Sequence, residues 1–166
     1  MKNTNCKWLP EIVSLNDFNG DFESYNNYLY SVFLNDLIKN QPLFNGLRVG
    51  ARKHPEHNGK HEGFYHLTSK DYQLTGYENR IFDPRRSERL HWIKPIIENH
   101  KCNDVCCNKI KIWKEKKRIH ILFEDEYYAI VLDERKGYYV VVTAYYIDTE
   151  HNLRNLLRRY ERQKAH

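Results

Sequence analysis

The run Gly137–Ile147, GYYVVVTAYYI, constrains the fold more than any other stretch of the chain. β-Branched and aromatic residues fill it and a glycine opens it, the composition of a central β-strand. Alternate residues of a strand share a face. That alternation predicts Val140, Val142 and Ala144 on one side and Tyr139, Val141, Thr143 and Tyr145 on the other. The first side is small and apolar, as packing under a helix requires. The second ends in two hydroxyls, Thr143 and Tyr145, which suit either a phosphate contact or the end of a sheet.

A strand of this kind needs neighbours, and the sequence before it supplies them. Lys109–Trp113 alternates, Arg118–Glu124 puts Ile119, Ile121 and Phe123 opposite His120 and Leu122, and Tyr127–Asp133 follows. Glu134–Gly137 reads as a hairpin turn into the central strand. Four strands with short connections make an antiparallel meander. Shorter candidates lie upstream: Leu47–Arg52, and Glu62–Thr68, whose alternation pairs Phe64 with His66 and Tyr65 with Leu67.

Three helices complete the pattern. Asp21 or Ser24 caps the first, which runs to about Asn40 with Tyr25, Tyr28, Leu29, Val32, Phe33 and Leu37 at helical spacing. Asp83-Pro84 starts the second, over Arg85–Asn99, with Leu90, Ile93 and Ile97 on one face and Pro95 placed to bend or split it. Asp148 or Thr149 caps the third, which runs to about Gln163. It has Leu153, Leu156, Leu157 and Tyr160 as its apolar face and Arg154, Arg158, Arg159, Arg162 and Lys164 around the rest. The predicted fold is α+β: N-terminal helices on a twisted antiparallel sheet of about four strands, with a basic C-terminal helix. The 166 residues suit a single domain over 1–166, with an irregular segment at 1–20 and the core at 21–166.

Charge narrows the function. Residues 1–45 carry net −2, so the overall +5 places +7 on residues 46–166. A positive sheet-bearing part suits a polyanion such as nucleic acid. Charged residues are 30% of the chain, so no membrane span is expected, and the N-terminus has no apolar signal-peptide core, which points to the cytoplasm. Four cysteines, unevenly placed, argue against a disulfide framework. His100, Cys102, Cys106 and Cys107 fall within eight positions, but adjacent cysteines rarely reach one tetrahedral ion. They read as a loop with free thiols, with a small zinc module as the alternative. Arg85, Arg86 and Arg89 crowd the start of the second helix, where cations oppose the macrodipole and an anion between them would compensate. His66 alone reads as a buried histidine with a satisfied hydrogen bond.

The segments FYHLTS, RIFDPRRSERLHWIKPIIEN, RIHILFEDEYYAIVLDERKGYYVVVTAYYI and HNLRNLLRRYE resemble a family of phage-associated bacterial proteins. That family is similar to the barnase, EndoU, colicin and RelE-like ribonucleases, whose core is a helical part packed on a four-stranded antiparallel sheet. The resemblance covers about Tyr25 to Glu161. It implies a metal-independent endoribonuclease without cofactor, acting as a toxin or phage-defence effector on RNA, with an antitoxin or immunity protein as a further partner. By position it implies a catalytic set of His66, Arg86, Arg89, Thr143 and Tyr145, with Lys60, Arg80 and Arg85 as substrate contacts. EndoU-type sites use two histidines, and His91 and His120 are the candidates for the second. The alternative is a nucleic-acid- or protein-binding module on the same fold.

The residue types fit the chemistry. Cleavage by 2′-OH transesterification needs a base for the hydroxyl, a clamp for the phosphoryl oxygens and an acid for the leaving 5′-oxygen. A histidine near neutral pH supplies acid or base. An arginine fork holds phosphoryl oxygens, and threonine and tyrosine hydroxyls donate to them.

Overall fold

The fold, a computed structural model, is described over residues 2–71, 80–102, 104 and 110–164. Its centre is a six-stranded sheet in the order β1-β2-β10-β9-β8-β7. The expected meander is there: β7 (Ile110–Glu115), β8 (Arg118–Phe123), β9 (Tyr128–Arg135) and β10 (Tyr138–Tyr146) pair antiparallel in sequence order. Gly137, at φ 87°, makes the tight turn into β10. The count of about four strands is corrected to six. β2 (Leu47–Ala51) joins β10 in parallel and carries β1 (Leu43–Phe44) on its outer edge. A parallel partner ninety residues away leaves no hairpin signature, which is why periodicity alone stops at four.

One face of the sheet is covered by the N-terminal helices. α1 (Phe22–Phe33) is capped by Asp21, whose carboxylate accepts from the Ser24 amide, and it runs on as a π-turn over Leu34–Lys39. Tyr25, Leu29, Phe33 and Leu37, four residues apart, are buried against Ile121, Ile130, Val141 and their neighbours in the main core. α3 (Pro84–Glu88) starts at Asp83 with Pro84 in its first turn. A short 3₁₀ turn at Leu90–Trp92 then separates it from α4 (Ile93–Glu98). The break falls just before Pro95, so the residue lacking an N–H sits in the first turn of α4.

The irregular N-terminal segment is part of this core. Cys6 and Leu9 are buried, the Trp92 indole donates to the Pro10 carbonyl at 2.8 Å, and the Tyr25 hydroxyl donates to Val13 O at 2.7 Å. Cys6 is disulfide-bonded, which the expectation against a disulfide framework did not foresee, while Cys102, in the loop read as carrying free thiols, is a free thiol.

Two expectations fail locally. Glu62–Thr68 is not a strand but a helix, α2, in which Phe64 and Leu67 share the buried face that the alternating pattern had split. The sequence EGFYHLT satisfies both periods over seven residues, and packing decides for the helix. The second failure lies within β10. Its pairing with β9 shifts register between Val141 and Thr143, a β-bulge at Val142. Tyr139, Val141 and Ala144 therefore enter the main core, and Thr143 is turned to the other face. The predicted alternation across this strand breaks at the bulge.

The second face of the sheet is only partly covered. α5 (Glu150–Lys164), capped by the Thr149 hydroxyl accepting from the Asn152 amide at 3.1 Å, packs Leu153 and Leu156 onto Trp113, Leu122, Ala129 and Ile147. Next to that small cluster the sheet face is open. Two short pairs, β3 (Glu56–His57) with β4 (Lys60–His61) and β5 (Ser69–Asp71) with β6 (Arg80–Phe82), lie outside the main sheet.

Candidate functional site

The open face takes its side chains from the positions that alternate with the core. β7 contributes Trp113 and Glu115, β8 contributes Arg118 and His120, β9 contributes Val131, and β10 contributes Thr143 beyond its bulge. Arg159 reaches over from α5. Together Glu115, Arg118, His120, Val131, Thr143 and Arg159 line a cleft of about 760 Å³.

The centre of this cleft is held by a charged network. Arg159 grips Glu115 with two parallel bonds, Nε to Oε2 at 2.9 Å and Nη2 to Oε1 at 2.7 Å. The Trp113 indole donates to the same carboxylate at 2.7 Å. These bonds, the arginine first, hold the Glu115 carboxyl down at about 2, and they raise the Arg159 guanidinium in turn. His120 stacks on Trp113 with ring centroids 5.0 Å apart and planes 9° from parallel. Its Nε2 lies 3.3 Å from Arg159 Nη2, so that nitrogen accepts and the ring is neutral. Burial, then the Arg159 charge, push His120 below the ordinary histidine range. The cleft thus holds a neutral imidazole and a hydroxyl on the sheet, with a fixed guanidinium reaching over them from α5.

Arg86 enters from the side. β2 ends at Ala51 beside Val141, so the last residues of β10 have no strand on that side, and α2 and α3 pack there instead. Arg86, in α3, donates through Nη1 to the His66 carbonyl at 3.0 Å, the Ser69 carbonyl at 3.1 Å and Thr143 Oγ1 at 3.3 Å. Its Nε lies 3.4 Å from Asp83. Three of the predicted residues, His66, Arg86 and Thr143, therefore meet at the edge of β10, though His66 does so through its backbone. The His66 ring lies 3.8 Å from Glu62, one turn earlier on α2.

The other predicted residues divide. Tyr145 is half-buried on the α5 side, its hydroxyl pushed up by burial, and lines a groove with Arg86, Asn155 and Arg159. Arg89 is not at the cleft. It is buried, donates to the Arg85 carbonyl at 3.0 Å and stacks 4.4 Å from the Tyr146 ring centroid, which Arg85 covers from 4.7 Å. A guanidinium stacked and enclosed in this way is packing rather than a clamp for a ligand in the cleft. Lys60 and Arg80 sit together in a separate cleft of about 400 Å³ with Tyr65, Phe82 and Asn58. His91 is held by the Glu11 carbonyl at 2.7 Å and is lowered by burial.

The His100 Nδ1 donates to the Ile97 carbonyl at 2.6 Å and its ring packs 4.6 Å from Phe44, while Cys106 and Cys107 lie outside the described residues. Among the described residues no three His, Cys, Asp or Glu side chains cluster to hold a metal.

Sequence reading missed Glu115 and Arg159 as a pair and ranked His120 behind His66. The available signal was the alternation of β8, which already put His120 opposite Ile119 and Ile121. No protein-family model, curated protein or solved structure matches this chain.

Proposed function

We propose that this chain is a metal-independent endoribonuclease of the barnase, EndoU, colicin and RelE-like kind, a toxin or phage-defence effector that cleaves RNA by attack of the 2′-OH on its own phosphorus. The observation that carries the reading is the uncovered sheet face, on which neutral His120, Arg159 and Thr143 share one cleft. His120 takes the 2′-OH proton, the 2′-oxygen bonds to phosphorus, and the bond to the 5′-oxygen breaks. His66, at the adjoining edge, returns a proton to the leaving oxygen. Arg86 and Arg159 stabilise the charge on the equatorial oxygens, and Thr143 donates a hydrogen bond to them. Arg159 exchanges Glu115 for phosphate as substrate binds. Arg154, Arg158 and Arg162 make α5 a basic helix that continues the positive surface past the cleft.

The product identifies the reaction. Purified protein in EDTA is expected to leave RNA fragments with 2′,3′-cyclic phosphate ends. Intact ribosomal, transfer and messenger RNA after prolonged incubation would remove the reading. The site of action is the cytoplasm, where RNA and an antitoxin or immunity partner would be met. The disulfide at Cys6 fits a toxin that is oxidised outside that compartment before it enters it.

Arg159 is already paired through two nitrogens with Glu115, and the Arg86 Nη1 is shared among three oxygens. Guanidiniums so engaged suit a non-catalytic binding module on the same fold. RNA bound but uncut by the wild type would favour that module.

A further inference from the structure

Beside the cleft, where α2 meets the end of β2, lies a small cavity of about 90 Å³, open to solvent on its arginine side. Its walls are unusual for their charge. Arg52, Arg118 and Arg135 line it together with His66, and among the described residues the lining carboxylate is Asp133. Asp133 serves two of the arginines at once, 3.5 Å from Arg118 Nε and 2.8 Å from Arg135 Nε. Arg52 faces a second carboxylate, Glu62, at 3.7 Å, and Glu62 is also 4.0 Å from His57 and 3.8 Å from His66. All three guanidiniums are about half-exposed, so water shares their remaining donors, and what the two carboxylates leave is one uncompensated positive charge. Three permanent positive charges thus converge on one small space with two negative charges beside it.

The backbone fixes this convergence. Arg118 and Asp133 are directly paired across β8 and β9, and Asp133 faces Val140 on β10. Gly63 lets α2 close over the end of β2. Its amide donates to the Arg52 carbonyl at 3.0 Å, and a Cβ on it would stand 2.7 Å from that oxygen. The volume gives room for a small tetrahedral oxyanion. Arg118 also lines the His120 cleft, two residues along the same strand face.

We propose that the cavity bounded by Arg52, Arg118 and Arg135 binds a single phosphate group, and that in the RNA reading, on which this part rests, it holds the phosphate next to the scissile one. Asp133 is the internal competitor that keeps the arginines spaced when the site is empty.

The test begins with inorganic phosphate titrated into the full chain by calorimetry at neutral pH. Saturable binding of one phosphate is expected. Arg52→Gln with Arg135→Gln should weaken it at least tenfold, and Asp133→Asn should tighten it. Unchanged phosphate affinity in both variants, with folding verified by circular dichroism, overturns the site. A short 2′-deoxy oligonucleotide distinguishes the two sources of phosphate. Competition between it and phosphate supports a strand subsite, and independent binding of the two overturns that role. In cleavage assays the double arginine variant should raise KM about tenfold, more than it lowers kcat, and flatten the salt dependence of binding. Phosphate binding without any RNA cleavage would remove the ribonuclease reading and leave the anion site. RNA cleavage with KM and phosphate affinity unchanged in the variant would remove the subsite alone.

Discussion

The two faces of the sheet are made from the same strands and differ in almost everything else. On β8, Ile119, Ile121 and Phe123 lie in the main core, and His120, one residue away from two of them, stands in a cleft. On β9, Ile130 and Leu132 are fully buried while Asp133 between β8 and β10 gathers two arginines. The covered face contributes stability through apolar area removed from water. The open face contributes little of that and carries the titratable groups. A strand thus lets the chain hold chemistry on a rigid support at a spacing of one residue, which a helix face cannot do without turning. Substitutions on the covered face should therefore move stability, and those on the open face should move activity.

The largest effect expected is on the covered face. Phe123 is fully buried and packs 5.8 Å from Trp8. Phe123→Ala should lower stability by about 4 kcal/mol, through lost burial and the cavity left behind. Denaturant unfolding measures this, and an activity loss beyond the unfolded fraction would show the faces to be coupled. The next effect belongs to the open face. His120→Ala should reduce RNA cleavage by about 100-fold or more, about 3 kcal/mol in the barrier, with stability changed by about 1 kcal/mol. His66→Ala is the informative companion. If it alone abolishes cleavage while His120→Ala is active, the chemistry sits at the α2 edge rather than on the sheet face.

What could be read beforehand follows the same division. Elements whose cause is local were legible: the Asp21 cap, Pro84 in a first turn, the alternation of β8, the Leu153 and Leu156 stripe of α5. Features set by distant partners were not. The bulge at Val142 comes from how β10 registers with β9, and it reverses the sides assigned to Val141 and Thr143 relative to one another. Arg159 and Glu115 are 44 residues apart, so no motif spacing joins them. Arg89 looked like its neighbour Arg86 in sequence, and only the position of Tyr146 makes it a stacked, buried group. The histidine of the open face was visible as alternation, but its value depends on Arg159 arriving from another element.

A smaller effect separates the faces by pH. The Glu115 carboxyl is held near 2 by Arg159, so the native state binds a proton there less readily than the unfolded chain. Its contribution is complete above the ordinary carboxylate range and is lost as pH falls from about 4.5 toward 2. Because the pair is partly solvated, the expected size is about 1 kcal/mol. His120 is also depressed, so its protonation below about 6.5 costs native stability in the same direction and sets the acid limb of activity lower than for a free histidine. Glu115→Gln should remove the lower of these two slopes in acid unfolding and keep the upper one. Both slopes surviving would place the lower one on other carboxylates and remove Glu115 from the acid transition.

The smallest effect tests whether face or cover is the cause. Lys114 shares strand parity with Ile110 and Ile112, which pack against the main core, yet its side chain is half-exposed and ion-paired with Glu134 at 2.6 Å. If position on the sheet set a residue's importance, Lys114→Ala would behave as a mild core substitution. If helix cover sets it, the pair is an ordinary surface one, with charge attraction largely offset by solvation and side-chain entropy. The expected change is under about 0.5 kcal/mol in stability, with RNA cleavage unaltered. Thermal unfolding of this variant beside Phe123→Ala is the measurement. A loss above 1 kcal/mol would show that the covered face extends past its helices, and the division between a stabilising and a reactive face would then have to be drawn by strand rather than by cover.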